Sequence, residues 1–123
     1  MGRDMDKRLR VQFISVEDDG PDLSVNFALW PRAHDTLMLL RSPHLEHMLA
    51  QEDRGISVPP LDSDDQAVDL LQSLTWGAKL VVVTTQRHQY RLDVSEADQE
   101  DVDAAKQVLQ KMAVNSNARI QSA

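Results

Sequence analysis

Residues 8–29 read RLRVQFISVEDDGPDLSVNFAL, and the fold class turns on this stretch. Leu9, Val11 and Phe13 alternate with Arg8, Arg10 and Gln12, while Leu23, Val25, Phe27 and Leu29 alternate with Ser24, Asn26 and Ala28. A period of two puts every second side chain on one face, the pattern of a half-buried strand. Between the runs lies Glu17-Asp18-Asp19-Gly20-Pro21-Asp22. Its Gly accepts positive φ and its Pro presets its own φ, so an antiparallel hairpin is expected.

Downstream, Pro31 to Asp35 reads as another turn, and Thr36 to Arg41 is nearly all apolar. Such a run suits a third strand covered on both faces, completing a three-stranded meander. Ser42-Pro43 marks a helix start, since the hydroxyl can cap a free N–H and Pro at the first helical position loses no hydrogen bond. Leu45, Met48 and Leu49 then fall on one face of a short helix, with Gly55 as its stop. Ile56 to Val58 is expected to be briefly extended before Pro59-Pro60 breaks regular structure.

Ala67 to Trp76 fits two periods. Ala67, Leu70, Leu71 and Leu74 match helical spacing, whereas Val68, Leu70, Leu74 and Trp76 match alternation with Gln72 as the exception. The tight-turn candidate Gly77-Ala78 and the Val- and Thr-rich stretch Lys79 to Thr85 favour a strand from Leu71. After a polar turn at Gln86 to Gln89, the residues Tyr90, Leu92 and Val94 alternate with Arg91 and Asp93 in a last strand. Ser95, with Asp98 three residues on, resembles a capping box, and Val102, Ala105, Leu109 and Met112 line one helical face. Acidic residues come first in that helix and Lys106 and Lys111 later, the order its dipole favours.

The expected fold is therefore α+β: an antiparallel sheet of about five or six strands, a short helix after the third strand and a C-terminal amphipathic helix packed on one face. Residues 1–7 read as a flexible leader, 8–113 as a single domain and 114–123 as a frayed tail.

Thirteen Lys and Arg against twenty Asp and Glu give a net charge of -7 over 123 residues. That charge repels nucleic-acid backbones and anionic membranes and favours a protein partner with a basic surface. With no cysteine, disulfides, thiol catalysis and thiolate metal sites are excluded. No apolar run has the length of a signal peptide or a membrane span, so a cytoplasmic location is expected. Neither G-x-S-x-G nor a glycine-rich phosphate loop occurs, so no enzyme activity and no cofactor are expected.

His44, Glu46 and His47 are the alternative metal set, on which a small metal-dependent hydrolase could be built with His34 or a carboxylate completing the site. A solvated helix face accounts for the same residues. Asp62-Ser63-Asp64-Asp65 has part of a calcium loop but lacks its turn Gly and distal Glu. The densest negative clusters are Asp62, Asp64 and Asp65, and Glu96 to Asp103 with Glu100, Asp101 and Asp103, and such patches speed encounter with basic partners. Trp30 is the candidate aromatic anchor, whereas Trp76 reads as core.

Phe27-Ala28, Leu37-Met38-Leu39-Leu40-Arg41-Ser42, Leu74-Thr75-Trp76-Gly77 and Leu80-Val81-Val82 together resemble a family of bacterial polymorphic-toxin immunity proteins, over about half of the chain. The resemblance implies a small cytoplasmic protein that neutralises a cognate toxin by direct binding. It carries over no contact residues, because the matching positions read as core. The order of elements is also similar to that of effector-specific secretion chaperones, which would imply an obligate dimer, whereas an immunity protein can act as a monomer.

Overall fold

The computed structural model describes residues 8–31, 35–59 and 69–122. The expected leader at 1–7 and the acidic run at 62–65 lie outside these. Among the described residues seven strands form one sheet: β1 (Arg8–Glu17), β2 (Leu23–Leu29), β3 (Thr36–Arg41), β4 (Leu71–Trp76), β5 (Leu80–Thr85), β6 (Gln89–Asp93) and β7 (Arg119–Ser122), in the order β3-β2-β1-β6-β5-β4-β7. One α-helix, α1 (Gln99–Ala113), packs against β1, β2 and β7. The class is α+β as expected, with the strand at Leu71 and the β1–β2 hairpin in place.

The sheet differs from expectation in two ways. It is mixed: β1 runs parallel to β6 and β4 parallel to β7, while the other neighbours are antiparallel. The expected tail supplies the seventh strand, β7, which pairs along Ser73–Trp76 of β4 and half-buries Ile120.

Two β-bulges explain side-chain positions that strict alternation misassigns. In β1 the register shifts between Val11 and Phe13, so Val11 and Ile14 both enter the core and Phe13 is left exposed, contrary to the expected Leu9-Val11-Phe13 face. In β4 it shifts between Leu71 and Ser73, so Leu71 and Leu74 share the buried face although they stand three apart. An extra residue in one strand displaces all later side chains by one position, giving a helix-like spacing in extended chain.

The core joins Val25, Phe27, Leu37 and Leu39 of the meander to Leu74, Trp76, Val81, Val83 and Leu92, with Val102, Ala105, Val108, Leu109 and Met112 of α1 closing it. Trp76 is buried, 6.3 Å from Phe27 between ring centroids. The ammonium of Lys106 lies 5.5 Å from the Trp76 ring centre, a cation–π contact.

Ser57 ties β3 to the start of β4. It exchanges both backbone hydrogen bonds with Leu40 (2.9 and 2.7 Å), while the Val58 N–H donates to the Asp69 carbonyl and the Leu71 N–H to the Ile56 carbonyl. Hydrogen bonding thus closes into a ring at the end of the molecule where α1 terminates.

The β4–β5 turn is tight. The Gly77 N–H donates to the Leu80 carbonyl at 2.7 Å, and a Cβ at Gly77 would sit 2.8 Å from that oxygen. Gly77→Ala is expected to cost about 1–2 kcal/mol, read as a lowered urea midpoint with unchanged slope. A midpoint equal to wild type would mean the turn opens without cost.

Candidate functional site

The segment after β3 forms a 3₁₀ helix, Pro43–Met48, and a second single turn at Gln51–Asp53. Pro43 occupies the first turn as expected, but the Ser42 side chain makes no capping bond. At the end of β3, Arg41 turns its side chain inward, only 6% exposed. Its Nε and Nη2 donate to the two Glu46 oxygens at 2.7 and 2.9 Å, and Nη1 donates to the carbonyls of Met112 and Val114 at 2.6 Å each.

Those carbonyls end α1, where the chain leaves the helix through Asn115 at φ 59. A left-handed Asn is an ordinary helix stop, and a cation there complements the negative end of the dipole. The Arg41 hydrogen bonds hold the Glu46 carboxyl below its usual range, aided by the charge of Arg41, the Gly55 N–H and Arg54, against the opposing effect of burial. One guanidinium therefore joins strand, 3₁₀ segment and helix end.

The apolar face of this segment does not pack inward. Leu45, Met48 and Leu49 are exposed, Met48 at 71%. The short helix buries none of its residues. Beside it lies a groove of about 440 Å³ with an apolar lining from Leu40, Leu45, Met48 and Leu49, and with Asp53 and Ser57 on its wall. The segment is firmly held: Leu49 N–H donates to Glu46, and Arg54 donates twice to the Leu49 carbonyl (3.1 and 3.0 Å). Exposed apolar surface on a fixed backbone is the usual mark of an interaction site.

The acidic helix start and Trp30 lie at the opposite end of α1, a helix of 15 residues and so about 22 Å long. The Trp30 side chain is exposed (55% for the residue), and its backbone N–H donates to the Arg10 carbonyl at 2.8 Å. Arg10 in turn meets Glu96 at 2.6 Å, just before the helix. Trp30 and the acidic run of Glu100, Asp101 and Asp103 therefore share one end of the molecule. Ser95 does not cap: its hydroxyl and N–H both donate to Asp93 at 2.7 and 2.9 Å, lowering the pKa of that carboxyl, and the helix starts after Asp98. Asp62, Asp64 and Asp65 lie outside the described residues.

The metal set is not assembled. Both Glu46 oxygens are taken by Arg41, and His44 instead approaches Asp22 at 3.8 Å. No group of three His, Cys, Asp or Glu side chains among the described residues could hold an ion. His34 lies outside them.

A polar cluster absent from the sequence expectations sits where β4 begins. Asp69, 1% exposed, accepts from the Thr85 hydroxyl at 2.7 Å and the Arg87 N–H at 3.1 Å, and lies 3.0 Å from His88 Nδ1. It ties the β5–β6 turn to β4. The only sequence signal was an Asp inside an apolar run, which a single chain does not distinguish from an exposed strand residue.

Comparison with known proteins returned no match: no family model fits the chain, no curated protein matches its sequence and no solved structure matches its fold. No helix among the described residues is long and apolar enough to cross a membrane.

Proposed function

We propose that this chain is a non-enzymatic, cytoplasmic protein-binding module acting as an immunity protein: it neutralises a toxic bacterial protein by stoichiometric, direct binding. The observation that carries the reading is the outward-facing Leu45–Met48–Leu49 surface, held on a fixed backbone in a chain of net charge -7. An apolar patch supplies affinity, while the acidic surface at Glu100, Asp101 and Asp103, at the far end of α1, attracts a basic partner to the molecule. The partial likeness of its strand sequences to toxin-immunity proteins supports the same reading.

The test is co-expression with each protein encoded by the neighbouring reading frames, taking forward any whose expression alone arrests growth. Growth arrest should be relieved, and the two purified chains should form a one-to-one complex by light scattering. Charge reversal at Asp101 and Asp103 should slow association and weaken its dependence on salt. Absence of both rescue and complex overturns the reading, and a harmless secreted cargo bound by a dimer of this chain would replace it with the chaperone reading.

A further inference from the structure

We infer that the groove lined by Leu40, Leu45, Met48 and Leu49 receives one apolar side chain of a protein partner, and that Asp53 on its wall pairs with a lysine or arginine adjacent to that side chain. This rests on the reading of the chain as a partner-binding protein and names the chemistry the partner must bring.

The charges around the groove decide the occupant. Of the ionic groups that line it, Arg41 and Glu46 satisfy each other. The neighbouring guanidinium of Arg54 donates to the Leu49 carbonyl. Asp53 makes no ion pair with the described residues, and Glu52 next to it is exposed. What lines the groove itself is apolar surface beside the one carboxylate of Asp53, while Arg54, which keeps its charge, and Glu52 line the neighbouring hollow. A second copy would bring the same carboxylates and a net charge of -7 against its own, and an anionic lipid surface or a nucleic acid would be repelled likewise. A cation beside an apolar side chain satisfies both parts of the surface.

The walls are organised before binding. The two Arg41–Glu46 bonds, the Leu40–Ser57 bridge and the Arg54–Leu49 bonds fix the backbone on three sides, so little ordering is required of the groove itself. Met48 is the adaptable element, because an unbranched thioether fits apolar side chains of different shape.

The experiment is amide-resolved NMR of the full chain, titrated with three capped peptides: Lys-Lys-Leu-Lys-Lys, Lys-Lys-Ser-Lys-Lys and Glu-Glu-Leu-Glu-Glu. The first should shift the amides of Leu45, Met48, Leu49 and Asp53, with an affinity about tenfold above either of the others. Met48→Asp should abolish the effect, and Asp53→Asn should weaken it several-fold while the rest of the spectrum stays unchanged. Equal binding of the acidic peptide overturns the role of Asp53, and absence of shifts in the groove overturns the whole inference. Groove shifts that depend on protein concentration without peptide would assign it to a second copy. The immunity reading fails separately: peptide binding without growth rescue refutes immunity alone, and rescue that survives Met48→Asp refutes the groove alone.

Discussion

Arg41→Ala should destabilise the fold by about 3–5 kcal/mol, because removing one partner of a buried pair strands the other. The lower end of that range is expected, since the Glu46 side chain keeps 15% exposure and water can reach part of it. The terminal carbonyls of α1 lose their donor in the same step, so the loss includes the helix end as well as the ion pair. Arg41→Lys should recover only a minor part. A lysine keeps the charge but cannot present two parallel donors to Glu46 and a third to the helix carbonyls.

Urea denaturation at neutral pH measures both variants, and a loss below about 1 kcal/mol for Arg41→Ala would place the pair among weak surface bridges. A pH series separates the charge from the packing. The folded-state pKa of Glu46 lies below its ordinary value of 4.5, so the unfolded chain binds the proton more readily. Its contribution is present above pH 4.5 and is lost as pH falls through the folded value. Wild type should show that acid-side decline, and Glu46→Gln should lack the part that Glu46 contributes.

Asp69→Ala is expected to cost about 2–4 kcal/mol, since the Thr85 hydroxyl and the Arg87 N–H lose a buried acceptor and the His88 ring loses its carboxylate contact. The Thr85 hydroxyl retains the His88 carbonyl as an alternative at 3.2 Å, which limits its share. The Arg87 N–H keeps the Thr85 hydroxyl at 3.3 Å as a longer alternative, while His88 Nδ1 loses its contact with the carboxylate. Hydrogen exchange reports the location of the damage: the amides of Arg87 and His88 should lose protection before those of Val81 and Leu92. Asp69→Asn preserves the shape and one acceptor, so stability equal to wild type would show that the negative charge is dispensable there.

The strands of the meander and of β5 and β6 were legible because their buried positions recur at intervals of two, as at Val25 and Phe27 or Val81 and Val83. Alternation failed at Gln12 and Gln72, where bulges insert a residue and later side chains change face. Strand order was beyond periodicity: nothing in the pattern of Arg8-Leu9-Arg10 says that it lies beside residues 91–93. β7 was missed for a related reason, being short and mostly polar, with only Ile120 turned toward the core.

Of the candidate surfaces, the exposure of Trp30 and the burial of Trp76 follow from their places in the sheet. Arg41 and Asp69 were concealed because a polar residue that ends or begins an apolar strand has the same local sequence whether it is buried or solvated. The exposed face of Pro43–Met48 was hidden in the opposite sense. Its apolar spacing looked like a packing face, and only the tertiary fold shows that nothing in the described chain covers it.

The central place of β1 bears on how the protein is made. One edge of β1 meets β2, which follows it directly in sequence, but the other edge waits for β6, because Arg8, Leu9 and Arg10 pair with Arg91, Leu92 and Asp93. Until β6 is synthesised the nascent meander presents that edge unpaired, the feature by which growing chains adhere to one another. Arg8 and Arg10 lie along that edge, and their like charges keep neighbouring nascent copies apart until Asp93 arrives opposite Arg10.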